Sequence, residues 1–262
     1  MVSDECHLEA IARLWIYTNF DCNLQCSYCC ASSSPRAERR ALPLVQHKRL
    51  ILEAAEAGVG EVFLTGGEPF LLPDIAERVR AASERMETTV LTNAMLFQGS
   101  RRTALESLAG LPVRFQVSLD GPCAEAHDAI RGRGSWAKAV EGVGQLQALG
   151  FDVHISTTET VHNAPYLDET RAFVIALGIP AEAHFVRPLA RRGFSQAGVE
   201  LRAADLVPEV TVSQEGVFWH PLACEDDFLV SRRVFPFADA LGLVQAQYRL
   251  VLERGELPRP FR

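Results

Sequence analysis

Apolar and polar positions along the chain follow two alternating rhythms. Short strand-like runs fall at residues 13–19, 61–65, 88–92, 113–119, 151–157 and 181–186, and these are predicted as strands. Stretches of helical period lie between them. After Pro43, the residues Leu44, Ile51, Leu52 and Ala55 share one helix face that stops before Gly58. Ser135 is placed to cap a second helix that carries Trp136, Val140, Val143 and Leu146 and ends at Gly150. Strand and helix in alternation point to repeated βαβ units and a parallel sheet covered on both faces.

Three of these strands have one polar side. Val113, Phe115, Val117 and Leu119 oppose Arg114, Gln116, Ser118 and Asp120, while Phe151, Val153 and Ile155 oppose Asp152, His154 and Ser156. In the sixth, Ala181, Ala183 and Phe185 oppose Glu182 and His184. If helices cover the apolar face, the polar face lines the inside of a curved sheet, and a polar interior implies a cavity. From residue 191 the pattern changes to a loop at 191–196, a hairpin of strands 209–213 and 217–220 across Gln214-Glu215-Gly216, and a helix over 236–254. This small annex is expected to close one side.

Composition narrows the function. Of 262 residues, 48% are hydrophobic and 23% charged, which excludes a disordered or collagen-like chain. Basic residues number 26 against 33 acidic, a net charge of −7, so no general basic field exists to hold nucleic acid or an anionic membrane, and neither is expected as a partner. Met1-Val2-Ser3-Asp4-Glu5 has neither the basic nor the apolar region of a secretion signal, and no apolar run approaches the ~20 residues of a spanning helix. A cytoplasmic protein is expected. In that reducing setting clustered cysteines bind metal or do chemistry more often than they form disulfides. Of the seven, Cys22, Cys26, Cys29 and Cys30 crowd together, while Cys6, Cys123 and Cys224 stand alone.

The segment Cys22-Asn23-Leu24-Gln25-Cys26-Ser27-Tyr28-Cys29 directly follows the first strand, where a loop can turn three thiolates toward a common centre. Thiolates are the ligands of soft iron. Other readings of the three cysteines remain: a shared helix face; a structural zinc site, which needs a fourth ligand that no second Cys or His pair supplies at suitable spacing; or a Cys26–Cys29 redox pair, which leaves Cys22 unexplained. Further polar motifs close the strands: Gly66-Gly67-Glu68-Pro69 after the second, Thr92-Asn93 ending the third, and Ser118-Leu119-Asp120-Gly121 after the fourth, followed by His127-Asp128-Ala129-Ile130-Arg131-Gly132. Taken singly, each is also an ordinary turn.

In this order, residues 12–187 resemble the radical S-adenosylmethionine (radical SAM) superfamily, whose cluster loop has three cysteines at this spacing with an aromatic, here Tyr28, before the last. Within it the chain is similar to the branch that includes peptide-modifying maturases and the enzyme starting molybdopterin synthesis. The resemblance implies an α/β fold, a partial (β/α)6 TIM-like barrel over residues 10–190, with a small α+β extension over 191–262. It implies that Cys22, Cys26 and Cys29 hold one [4Fe–4S] cluster with an iron left open for S-adenosylmethionine. Gly66, Gly67, Glu68 and Pro69 would then meet the methionine amino group, the glycines by letting backbone approach the ligand and Glu68 by offsetting the ammonium charge. Thr92, Asn93, Ser118 and Asp120 would lie about the ribose or carboxylate, with Arg131 paired to that carboxylate. Val186, beside Arg187, would read the adenine edge.

The reaction implied is reductive cleavage of S-adenosylmethionine to a 5′-deoxyadenosyl radical, which takes hydrogen from a peptide or small polar substrate. A flavodoxin- or ferredoxin-like donor would reload the cluster, docking near Arg36, Arg39 and Arg40. The annex resembles a degenerate SPASM or twitch extension that lacks the further cysteines, so no auxiliary cluster is expected. Cys30 and Cys123 are read as bystanders, and Cys224 as a buried thiol or, in an epimerase, a hydrogen-atom donor. The alternative class is a non-catalytic iron–sulfur or zinc-binding regulator.

Overall fold

The computed structural model describes residues 13–201, 206–222 and 228–253. Six strands, β1 (Arg13–Tyr17), β2 (Glu61–Thr65), β3 (Glu87–Thr92), β4 (Val113–Ser118), β5 (Asp152–Glu159) and β6 (His184–Pro188), pair in parallel in chain order. Helices α1 (Leu44–Glu56), α2 (Ile75–Ser83), α3 (Ser100–Glu106), α4 (Ala124–Arg131), α5 (Ser135–Ala148) and α6 (Leu167–Ala176) fill the connections. The fold is the expected partial TIM-like α/β barrel.

Alternation decides which face each side chain takes. Leu14, Ile16, Val62, Leu64, Val90, Phe115, Val117 and Ile155 are buried on the outer face with Leu50 and Ile51 of α1, Val79 of α2 and Val143 of α5. The opposite face carries the polar set, and in-register pairing lines up Trp15, Phe63, Thr89, Arg114 and Asp152 as one layer. Trp15 and Phe63 stack in this layer, their ring centroids 4.2 Å apart.

The hairpin forms from β7 (Val210–Ser213) and β8 (Gly216–Phe218), with β9 (Leu229–Ser231) antiparallel beyond it. Strand β7 pairs in parallel with the free side of β1, Leu14 opposite Val210, and extends one sheet to nine strands. Helix α7 (Phe237–Glu253) packs near α1, with the Phe237 N–H donating to Glu53 Oε2 at 2.7 Å and Arg49 lying over the Phe235 ring. Among the described residues no helix is long and apolar enough to cross a membrane.

Two local expectations are corrected. Residues Ala181–Ala183 form a 3-10 turn after Pro180, so the last strand starts at His184 and its faces are the reverse of those expected. Phe185 falls beside Ser156 on the inner face, 5.7 Å from the His154 ring, while His184 Nε2 lies 2.9 Å from Thr157 Oγ1. Ser135 begins α5 but does not cap it. The Asp128 carboxylate accepts from Gly134 N at 2.5 Å, Ser135 Oγ at 3.0 Å and Trp136 N at 2.8 Å, holding the helix start from the preceding helix.

Candidate active site

Strand ends on one rim of the barrel carry the cysteine loop and the motifs expected around it. Gly66 and Gly67 leave β2 against the backbone of residues 19–21: Gly67 N donates to Asn19 O at 2.9 Å and Glu68 N to Asp21 O at 3.0 Å. A Cβ on Gly66 would lie 2.3 Å from Asn19 O, and one on Gly67 2.0 Å from Asp21 O. The space the glycines leave is therefore filled by the strand that feeds the cysteine loop. Asn19, fully buried, locks the same junction by donating from Nδ2 to Asp21 O at 2.9 Å and Glu68 O at 3.1 Å.

Glu68 sits behind the site. Its carboxylate accepts from Thr92 Oγ1 at 2.7 Å, Asn93 N at 2.8 Å and Phe70 N at 3.1 Å. Burial nevertheless raises its pKa above the ordinary range. Pro69 opens the buried 3-10 turn that Glu68 caps.

On the other side of the loop, Asp120 and Arg131 form a closed ion pair. Asp120 is fully buried and accepts from Arg131 Nε at 2.6 Å, Tyr28 Oη at 2.7 Å and Thr158 N at 2.8 Å. Arg131 also donates to Tyr28 Oη, and Ser27 N donates to Ile130 O at 3.1 Å, so the end of α4 is tied to the loop between the cysteines. Burial alone would make Arg131 easier to neutralise, but Asp120 more than offsets it and keeps the guanidinium charged.

Cys22, Cys26 and Cys29 line one cavity of about 160 Å3, together with Gly66, Gly67, Thr92, Asn93, Ser118 and Arg131. Each sulfur faces a donor. Leu24 N lies 3.4 Å and Asn93 Nδ2 3.9 Å from Cys22 Sγ, Arg131 Nη1 3.9 Å from Cys26 Sγ, and Ser33 N 3.4 Å from Cys29 Sγ. Burial, with Glu68 adding to it, pushes the Cys22 thiol up to about 12, and burial also raises Cys26 against the pull of Arg131. Cys22 and Cys26 therefore stay protonated until a cationic centre draws the proton off. Among the described residues no three Cys, His, Asp or Glu side chains close on a point suited to a single metal ion.

A second cavity of about 550 Å3 fills the barrel interior and shares Tyr17, Cys30, Thr65 and Leu91 with the first. Trp15, Phe63, Arg114, Gln116 and His154 line it, and so do Val186 and Arg187, which therefore stand apart from the cysteine cavity. Tyr17 donates to Pro221 O at 2.6 Å and thereby joins the rim to the segment after β8.

Sequence reasoning passed over Asn19, Asn23 and Ser33, and set Cys30 aside although it borders both cavities. Asn19 carried one signal, a carboxamide at a strand end just before the cysteines. Asn23 accepts from Asn93 Nδ2 at 2.8 Å, a pairing across 70 positions that no local pattern announces. Cys224 lies outside the described residues.

The sequence profile of the radical SAM superfamily matches residues 16–172. Mycofactocin maturase MftC of Mycobacterium ulcerans is 35% identical over 183 residues, 69% of this chain and 48% of that protein. An AdoMet-dependent heme synthase of Oleidesulfovibrio alaskensis is 31% identical over 191 residues, 72% of this chain and 48% of that protein. The chain thus spans about half the length of the curated relatives it matches. In structure it is similar to Streptococcus suis SuiB bound to S-adenosylmethionine, with 25% identity, a TM-score of 0.60, and 74% of this chain and 44% of that one covered. SuiB bound to its precursor peptide SuiA gives a TM-score of 0.57 at 20% identity, covering 97% of this chain and 49% of that one.

Proposed function

The chain belongs to the radical SAM superfamily, and from that premise we propose that it is a peptide-modifying radical enzyme whose Cys22, Cys26 and Cys29 hold a [4Fe–4S] cluster. Members of the superfamily use such a cluster with S-adenosylmethionine. The observation that carries the reading is the shared cavity of three thiols, each facing an N–H donor. Three soft donors around one wall suit an inorganic core with separate iron corners. When bound, cluster and cosubstrate together supply a 5′-deoxyadenosyl radical that removes hydrogen from carbon.

The chain's own contribution is position and exclusion. Glu68 fixes the ends of β2 and β3 relative to each other, Asn19 fixes the start of the cysteine loop, and Asp120 with Arg131 fixes its middle through Tyr28. Gly66, Gly67, Thr92, Asn93 and Ser118 present backbone and small polar groups to the cosubstrate, while Val186 reaches its adenosyl end from the larger cavity. That larger cavity, polar and walled by an aromatic pair, receives the substrate. A peptide is favoured by the likeness to SuiB, whose structure with SuiA shares this fold. The barrel core is read as residues 10–190 and the extension as 191–262, with β7 sealing the β1 side. A flavodoxin- or ferredoxin-like donor docks at Arg36 and Arg39, both exposed, whereas Arg40 is occupied by Glu215 and the Phe20 ring.

Anaerobic reconstitution with iron and sulfide, followed by S-adenosylmethionine and dithionite, tests the proposal. The expected result is a brown protein that releases 5′-deoxyadenosine, with both properties lost on replacing the three cysteines by alanine. A colourless protein containing zinc, or an iron–sulfur protein that leaves S-adenosylmethionine intact, would establish a regulator instead.

A further inference from the structure

Ser33 presents a polar group that the protein itself leaves unsatisfied. It is 2% exposed, its hydroxyl is buried without a hydrogen-bond partner, and it lines the cavity of the three thiols. The other orphaned buried side-chain atoms among the described residues, on Arg40, His47, Arg78, His127 and Trp136, lie outside that cavity. A buried hydroxyl without a partner is destabilising, so its retention calls for a ligand that completes it.

The backbone keeps Ser33 at the wall. Its own N–H points to Cys29 Sγ at 3.4 Å, Ser32 N donates to Cys29 O at 3.1 Å, and Ser34 O accepts from Cys22 N at 3.2 Å. These bonds on either side pin residues 32–34 between the first and third cysteines. Backbone or side-chain N–H groups already face all three thiols, so a hydroxyl in the same wall adds to a shell of donors directed at sulfur.

Resting on the reading that these cysteines hold a [4Fe–4S] cluster, we propose that Ser33 is a positioning residue whose hydroxyl donates to a sulfur of that cluster and stabilises its reduced state. Reduction adds one electron from the external donor and makes the core more negative, which strengthens hydrogen bonds to its sulfurs and raises the potential. No bond to Ser33 forms or breaks, and its proton stays on oxygen.

Wild type, Ser33→Ala and Ser33→Thr are reconstituted anaerobically, assayed for iron and sulfide, and titrated with dithionite under EPR. All three are expected to load fully. Ser33→Ala should shift the reduction equilibrium about tenfold against the reduced form, about 59 mV for a one-electron couple, and Ser33→Thr should restore the wild-type value. A fully loaded Ser33→Ala with unchanged potential overturns the proposal, as does a shift that the hydroxyl-bearing Ser33→Thr shares in full. A Ser33→Ala protein that loses its iron also overturns it, since the role assigned concerns potential and not retention. Wild type that binds no iron and sulfide brings down the cluster reading itself.

Discussion

Replacing Gly67 with alanine separates two explanations of the glycine pair: room for a ligand, or room for the chain's own backbone. The added Cβ would lie 2.0 Å from Asp21 O, 2.5 Å from Asp21 C and 2.9 Å from Phe20 C. These are main-chain atoms, so no rotamer change relieves the overlap, and the segment must retreat by about 1 Å or more to reach ordinary contact. That movement breaks Gly67 N to Asn19 O and Glu68 N to Asp21 O, each worth about 1 kcal/mol net, and adds overpacking of about 1 kcal/mol or more. The sum is about 3 kcal/mol, or roughly 6–12 °C in melting temperature for a chain of this size. Scanning calorimetry on the metal-free protein reads this directly, and iron content after reconstitution reads the displacement of Cys22, which follows Asp21. A metal-free Gly67→Ala protein melting within about 2 °C of wild type would refute the packing account. Loss of loading alone would then assign the glycine to the ligand.

Gly144→Ala in α5 is the matching control: a Cβ there meets nothing within 4 Å, so the variant should be more stable by about 0.5–1 kcal/mol in urea denaturation. His47, buried and donating from Nε2 to Arg78 O at 3.2 Å, has its pKa pushed down to about 4, by burial first and by Arg78 second. The unfolded chain takes up a proton near 6.5 and the folded protein does not. Stability is therefore full above that pH and falls toward pH 4 by about 1.4 kcal/mol per unit for this group, and His47→Leu should show a slope shallower by that amount. Asp120→Asn leaves the Arg131 guanidinium buried without its counter-charge and should cost about 3–5 kcal/mol, measured by urea denaturation; an unchanged midpoint would deny the pair its structural role. Arg36→Glu with Arg39→Glu should slow reduction by an acidic flavodoxin-like protein about tenfold at low ionic strength and leave dithionite reduction unchanged; equal rates with the protein donor would remove the docking site from that face.

Legibility in the sequence followed the range of the interaction that decides each feature. Residues 61–65 are a strand in both sequence and structure, because the short apolar run Val62-Phe63-Leu64 between Gly60 and Gly66 is a local signal. The polar interior was legible for the same reason, since Arg114, Gln116 and Ser118 must share one side of β4 once the strand exists. The start of β6 was not: two alanines supply no contrast between faces, and Pro180 favours a turn that delays the strand to His184. The capping of α5 went to Asp128 because the left-handed Gly134 brings the preceding helix within reach, a geometry visible only in three dimensions. Pairing of β7 with β1 is likewise a long-range event, and a hairpin motif alone does not say which edge it will join.

The same distinction explains why residue types at the site were readable while their duties were not. Glu68 and Arg131 suggest charges offered to a ligand, and both also have partners inside the protein, Glu68 three donors from the end of β3 and its own turn and Arg131 the Asp120 carboxylate and Tyr28. Each ties a different part of the cysteine loop to a strand end or helix end, so the two groups fix the loop from opposite sides. With Arg131 of the cavity wall already paired to Asp120, remaining polar capacity lies in groups such as Ser33 and the N–H donors around the sulfurs. Those short, uncharged groups are weak signals in a sequence, because serine and backbone amides occur everywhere. Only burial without a partner singles one out, and burial is a property of the fold.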